Sequence, residues 1–391
     1  MTKIEALLKT LCPNGVEYKE LKELAQYERE RIHISNINKF NYISVENLLP
    51  NKLGKENASS VPKEGNVIAF NDGDILIGNI RLYLRKVWLA NMNGGTNGDV
   101  LAIKINDKSI ITPKFLYYIL SSERFFLYAI QHSKGAKMPR GDKDAIMQYS
   151  IPVPPLAAQG EIVRILDNFT ELTAELTAEL TARKKQYEFY RNHLLSFDDD
   201  VPRVELREIG PVCMCKRIIK EQTNRVEGIP FYKIGTFGKT ADSYISKELF
   251  DEYRKKYNYP RKGSVLISAA GTIGRIVVFD GKPAYFQDSN IVWIQNDETK
   301  ALNAYLAYCY TLQPWNISQG GTLPRLYNDD ILKAKIPLPS LSEQERIVRI
   351  LDRFDTLCND ISTGLPAEIA ARQRQYEHYR DELLNFEKVA L

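Results

Sequence analysis

The sequence predicts an α+β protein in which two pseudo-twofold-related α/β domains are separated by two long antiparallel coiled-coil helices. Three observations lead there. The stretch IPVPPLAAQGEIVRILDNFTELTAELTAELTARKKQYEFYRNHLLSF at 151–197 has no proline after Pro155 and sets apolar residues at three- and four-residue steps, the spacing of a helical stripe. The stretch returns at 336–386, opening IPLPSLSEQERIVRILDRF 185 residues later. The blocks before each copy change texture to short apolar runs punctuated by Gly, Asn and Asp, as in β-rich domains.

The totals are those of an ordinary globular chain. At 391 residues there is room for two or three domains, and 44% hydrophobic with 26% charged residues leaves ample core. No apolar run is long enough to span a bilayer, so no membrane partner is expected. The opening MTKIEALLKTLCPNG lacks the apolar core and small-residue cleavage site of a signal peptide. Five cysteines, odd in number and scattered, suit a reducing cytoplasm. The net charge of +4 is unevenly spread: Lys+Arg outnumber Asp+Glu 21 to 16 in residues 1–150 and 20 to 14 in 201–335. The order reverses to 5 against 9 in 151–200 and 7 against 10 in 336–391. A basic excess repeated in both globular blocks points to nucleic acid.

Residues 1–150 form the first domain. A short amphipathic helix spans about Ile4 to Leu11, a turn follows at Pro13-Asn14-Gly15, and VEYKELKEL reads as a strand or short helix. NVIAF, DGDILIGNI, KVWLA and DVLAIKI read as strands between Tyr42 and Ile105. ITPKFLYYILSSERFFLYAI at 111–130 has helical spacing with Pro113 near its start. A polar loop then leads into an extended exit.

Residues 151–200 form the central helix, striped by Leu166, Phe169, Leu172, Leu176 and Leu180, then Tyr187, Tyr190 and Leu194. Forty residues at 1.5 Å each would make a rod of about 60 Å. TAELTAEL at 173–180 is built from strong helix formers and should be stiff. Residues 201–335 repeat the first block in outline: VPRVELREI answers VEYKELKEL, KGSVLISAAGTIGRIVVF answers DGDILIGNIRLYLRKVWL, and SQGGTLPR lies 185 residues after SKGAKMPR.

Residues 336–391 form the second helix. Ser342 and Glu345 stand at capping-box spacing, whereas Ala157 takes the place of Ser342 in the first copy. The tails ARKKQYEFYRNHLLSF and ARQRQYEHYRDELLNF are offset by 189, so the second copy holds four extra residues. They fall near STGLP at 362–366, where Gly364 and Pro366 predict a break, with Ser362 or Thr363 capping the resumed helix. Two matched helices in one chain predict pairing with each other; a homodimerising stalk is the alternative.

Catalytic signatures do not occur. There is no NPPY- or DPPY-type tetrapeptide, no GxGxxG after a strand and no GxSxG. Gly238-Lys239-Thr240 has Lys233 where a phosphate loop needs glycine. Cys213-Met214-Cys215 is a lone CxC, and the four histidines are scattered, so no metal, cofactor or catalytic residue is expected.

IPxPxxxEQxxIVxILDxF followed by RQxQYExYRDxLLxF, twice, after two dissimilar domains, resembles the specificity subunit of a type I restriction–modification system along the whole chain. The TAEL repeats match one subgroup. Ala158 and Gly160 depart from the pattern, standing where the second copy has Glu343 and Glu345. The resemblance implies two target recognition domains, each reading half of a split double-stranded DNA sequence. It implies helices that fix the gap between halves and dock two methyltransferase subunits. Those subunits would bind S-adenosylmethionine and methylate adenine, and restriction motor-nuclease subunits using ATP and Mg would complete the complex. The chain itself would be non-catalytic and cytoplasmic. A coiled-coil adaptor with two protein-binding domains is the other reading.

DNA contact needs cations and amides for phosphate and Arg, Asn, Gln, Asp or Ser for base edges. In the first domain the candidates are Asn79, Arg81, Arg85 and Lys86 after the ILIG run, Thr96 and Asn97 in the glycine-rich turn, and Lys134, Lys137 and Arg140 in the loop before the exit. In the second they are Lys233, Thr272, Arg275, Gln287, Asp288, Asn290, Thr322 and Arg325. Taken singly, each is of a type that more often caps a turn or solvates a loop. Arg140 and Arg325 recur in both copies, which suits backbone contact or packing better than discrimination between targets.

Overall fold

The structure, a computed structural model, describes residues 3–135, 138–316 and 325–389. It divides into two compact units, Met1–Thr177 with Glu368–Leu391 and Ala178–Ala367. Each unit therefore joins one globular block to the head of one long helix and the tail of the other.

In the first unit the run VEYKELKEL becomes strand Glu17–Glu20 and then helix Leu21–Leu24, both of the forms its sequence allows. The strand pairs antiparallel with Ser150–Val153, the proline-led exit, as a two-stranded ribbon. A four-stranded antiparallel sheet follows in the order Ala25–Tyr27, Val100–Ile105, Ile75–Gly78, Val87–Leu89. Every residue of the ILIG strand is buried because this sheet is covered on both faces. A second sheet runs Arg31–His33, Asn66–Phe70, Gly94–Thr96, Tyr42–Ile43, its last pair parallel.

The helical run at 111–130 is two helices, Pro113–Leu120 and Glu123–Gln131, because Ser122 stops one and caps the other by accepting from Phe125 N. The expected polar loop contains helix Lys143–Met147, capped by Asp142. Five residues are too few to show a period. Ile162 and Leu166 of the long helix and Leu383 and Phe386 near the C-terminus share one core with Ile75, Phe115 and Phe125.

The second unit repeats the scaffold. Its ribbon pairs Arg203–Glu205 with Lys335–Pro337, and the register Arg203↔Pro337 is that of Tyr18↔Pro152 moved by the repeat. Its four-stranded sheet, Val212–Cys213, Ile291–Ile294, Val265–Ser268, Ile276–Val278, has the same order and sense. The second sheet does not repeat. It has three strands, Tyr244–Ile245, Ile229–Tyr232 and Tyr285–Phe286, and helix Lys247–Lys256 follows where the first unit inserts strand Asn66–Phe70.

The central helix is one 39-residue element, Leu156–Leu194. The second is Leu341–Asn359 and then Leu365–Leu383, so the break falls in the expected segment. Two capping expectations are corrected. The second helix starts on Ser340, whose Oγ accepts from Glu343 N at 3.4 Å, not on Ser342, because the chain is still extended at Ser340. Pro155, which offers no side-chain acceptor, takes that place in the first copy. At the break the acceptor is Asp360, not Ser362 or Thr363. Its carboxylate takes the Ser362 amide at 2.7 Å and both hydroxyls, which hold its pKa down to about 2.

Within the first unit Phe169, at the head of one helix, packs on Tyr379, at the tail of the other, with ring centroids 5.3 Å apart. Within the second, Phe354 packs on Tyr190 at 5.4 Å. Head meets tail in both, so the helices pair antiparallel.

Candidate nucleic-acid interface

A buried glutamine positions each globular domain on its helix. Gln159 is fully buried; its Oε1 accepts from Thr112 N at 2.9 Å, and its Nε2 donates to Ile110 O and Pro154 O. Gln344 repeats the clasp, accepting from Leu302 N at 2.8 Å and donating to Lys300 O and Pro339 O. A second twin lies just over two turns further along each helix. Tyr118 donates to Asp167 and Tyr308 to Asp352, each at 2.6 Å. Burial and the neighbouring carboxylate push both phenols upward. Sequence reasoning passed over these four helix and domain pairs, although Gln and Asp are among the letters identical in both copies.

In the first domain several candidates turn inward. Thr96 is 0% exposed and donates to Ile43 O inside the second sheet, so it is corrected from a DNA contact to a sheet-locking hydroxyl. Asn79, 5% exposed, is corrected likewise: its backbone bonds Asp99 and Gly141, and its Oδ1 is buried. Arg85 adopts a left-handed backbone and spends Nε and Nη2 side-on against Glu123, and Lys86 donates to Val45 O. Among the described residues the side chain of Arg81, also left-handed, reaches the Met138 thioether. Lys134 and Arg140 pair through their backbones, and their side chains meet Asp142 and Asp99. Lys137 lies outside the described residues, as does Thr322 in the second domain.

Asn97 lines a cavity of about 440 Å³ whose charged lining is wholly acidic: Glu46, Glu56 and Asp99. Asn47 builds its floor, accepting from Ser44 N and donating to Tyr42 O and Glu56 O.

In the second domain five candidates converge. Lys233, Gln287, Asp288, Asn290 and Arg325 line one cavity of about 550 Å³, together with Arg217 and Lys220, which sequence reasoning did not single out. The two cavities sit at corresponding places, beside the parallel pairs Tyr42–Gly95 and Phe231–Tyr285. Among the described residues their charge is opposite: four cations against Asp288 in the second, no cation in the first. Gln287 Oε1 accepts from Ile234 N at 2.9 Å, Lys233 pairs with Asp242, and Asp288 with Arg217. Thr272 and Arg275 are not brought there; Arg275 Nη1 donates to Phe237 O.

The arginines common to both copies do the same thing twice. Arg140 Nη2 donates to Asp99 at 2.7 Å and Arg325 Nη2 to Ser289 O at 2.8 Å, so each latches the loop beside its own cavity.

Cys213 and Cys215 are buried in the core, and burial pushes the Cys215 thiol up to about 12. Among the described residues no group of His, Cys, Asp and Glu could hold a metal ion, and no helix is long and apolar enough to cross a membrane.

Comparison with known proteins follows the internal repeat. Residues 13–183 and 198–371 each match the type I restriction modification DNA specificity domain. A Haemophilus influenzae chain assigned as a type I restriction enzyme specificity subunit is 53% identical over 290 residues, covering 72% of this chain and 74% of that one. The Escherichia coli EcoR124I/EcoR124II specificity subunit is 35% identical over 272 residues, 62% of this chain and 64% of that one. The fold is shared with a solved chain of a type I R-M system at TM-score 0.64 and 20% identity, covering 95% and 98% of the two chains. It is shared also with the S subunit from M. genitalium at TM-score 0.56 and 15% identity, covering 95% and 97%. The two cavities of opposite charge thus stand on the duplicated scaffold of a chain that belongs to the type I restriction–modification DNA specificity family.

Proposed function

We propose that this specificity subunit reads a split target in double-stranded DNA, one half with each globular domain, and that residues 1–150 and 201–335 act as its recognition domains. One observation carries the reading: a duplicated scaffold bears two unlike second sheets and two unlike cavities at corresponding places. Phosphate contact depends on cations and is blind to sequence, whereas discrimination needs a different set of donors and acceptors for each base. A scaffold held constant beneath variable polar surfaces is the arrangement such discrimination requires.

The helices at 151–200 and 336–391 set the gap between half-sites and dock two methyltransferase subunits. Chemistry then belongs to the partners: adenine methylation by subunits that bind S-adenosylmethionine, and cleavage by motor-nuclease subunits that use ATP and Mg. The complex works in the cytoplasm, where the DNA is.

The test is the methylome of cells carrying this chain with its modification subunits. The expected result is methylation at one split, asymmetric motif. Methylation with no such motif would overturn the reading. Binding of the assembled complex to duplex DNA should also fall steeply with salt, and salt-independent binding would favour a protein adaptor.

A further inference from the structure

We propose that Arg217 reads a guanine in the half-site of the second domain and that Asp288 holds it in place to do so. The inference rests on the DNA-reading role proposed above and names the residue and the base.

Asp288 Oδ2 accepts from Arg217 Nε at 2.9 Å. That contact leaves the two terminal Nη groups without a hydrogen bond among the described residues, while the side chain is 70% exposed at the cavity. Asp288 is itself held. Its side chain is 16% exposed, Ser289 Oγ donates to the same Oδ2, and Asn290 N donates to the Asp288 carbonyl at 2.7 Å. Ser289 takes a left-handed φ of 59°, and Arg325 fastens its carbonyl from the other side. The orienting carboxylate thus sits on a fixed turn.

The other candidate arginines with polar partners have spent that fork. Arg85 uses Nε and Nη2 on Glu123, and Arg140, Arg275 and Arg325 each commit a terminal nitrogen within the fold. Arg217 alone among these combines a pinned stem with an uncommitted terminal pair.

Two parallel N–H donors fit the O6 and N7 acceptors of guanine, and they fit a phosphate as well. Asp288 decides between them. A carboxylate 2.9 Å from the guanidinium repels a phosphate but not the uncharged edge of a base. Among the described residues the first domain offers no counterpart, since none of the Lys or Arg side chains described there lines its cavity.

The test uses the full chain assembled with its methyltransferase subunits. First the methylated motif is sequenced for the unaltered complex, then for Arg217→Ala and Arg217→Met. Both substitutions should make one guanine position of one half-site degenerate, with the other half-site and the gap unchanged. Discrimination at that base should fall about 5- to 150-fold, the worth of one bidentate pair.

Replacing that guanine by 7-deazaguanine, which lacks the N7 acceptor, should weaken binding of the unaltered complex but not of the Arg217→Met complex, whose side chain has no donor. Unchanged discrimination in both variants would overturn the proposal. So would a half-site pair containing no guanine, or a loss of affinity equal on all sequences, which marks a phosphate contact. If Arg217→Ala fails to assemble, the Arg217→Met comparison on 7-deazaguanine DNA decides. A split motif that is absent from the unaltered complex would instead defeat the DNA-reading role itself.

Discussion

Replacing Gln344 by leucine tests what holds a recognition domain to its helix. Gln344 is fully buried and makes three hydrogen bonds, all to main chain: Leu302 N, Lys300 O and Pro339 O. Leucine nearly matches its volume, so the change removes the polar clasp and leaves the packing. One N–H and two carbonyls would stay buried without partners, at about 1–3 kcal/mol each. The added apolar burial returns about 1–2 kcal/mol, leaving a net loss of about 1–8 kcal/mol, with its centre at about 4 kcal/mol. For a unit of this size about 2–4 °C accompanies each kcal/mol, so at that centre its melting transition should drop by about 8–16 °C.

Gln344→Glu should show a pH signature. The introduced carboxyl would be buried beside two carbonyl oxygens, which raises its folded pKa above the unfolded value. Its folded state then holds the extra proton, so this variant should be least destabilised below about pH 4 and lose stability as pH rises through the folded pKa. The assay is thermal unfolding of the full chain with hydrogen exchange on peptides covering 296–312 and 335–347. A loss under about 1 kcal/mol, with exchange unchanged there, would refute the clasp.

Gln159→Leu should weaken the first unit in the same way, with the exchange increase confined to residues around 110–120 and 150–166. Burial and nearby Arg380 hold Lys52 down to about 8 against its usual 10.5. The unfolded chain therefore binds more protons between those values, so stability of the first unit should rise with pH across that window, and Lys52→Met should flatten the rise in a pH series of melts. Arg140→Ala frees the loop at Asp99; DNA affinity should weaken on all sequences alike by several-fold, with the methylated motif unchanged. Inserting one more TAEL unit into 173–180 adds about 6 Å of helix and should widen the gap in the methylated motif by one or two base pairs, leaving both half-sites as they were.

The duplication made most of the fold legible. Repeated letters gave the long helices, the ribbons and the core strands, since a buried strand such as ILIG needs an apolar run and a helix needs its stripe. What escaped had no period to show. Lys143–Met147 is a single turn and a half, and Ser340 rather than Ser342 caps because the local backbone, not spacing, decides where a helix begins.

The candidate interface was less legible, for a different reason. Thr96 and Asn79 look like surface polar residues in sequence, yet one closes a sheet and the other bridges Asp99 and Gly141. Conversely Arg217 lies in the run CKRIIK with nothing to distinguish it from its neighbours. Its partner Asp288 is 71 positions away, and only the folded chain joins them.

The clasp also explains how two domains can differ so far while their helices hardly differ at all. Among the described residues the hydrogen bonds of Gln159 to the domain run to the Ile110 carbonyl and the Thr112 amide, and those of Gln344 to the Lys300 carbonyl and the Leu302 amide. Main-chain groups are the same whatever the side chain, so the glutamine asks the domain for a backbone path and not for a residue. The aspartate below it asks for one tyrosine, Tyr118 or Tyr308. The ribbon asks only for strand pairing, and its register is kept though Tyr18↔Pro152 becomes Arg203↔Pro337. Constraint therefore accumulates on the helix side, where the side chains that do the holding reside, and the sheet that lines the cavity is left free to change. A domain that keeps this backbone path can alter its cavity from acidic to basic without loosening its attachment, which is what two domains that read unlike DNA sequences from one scaffold require.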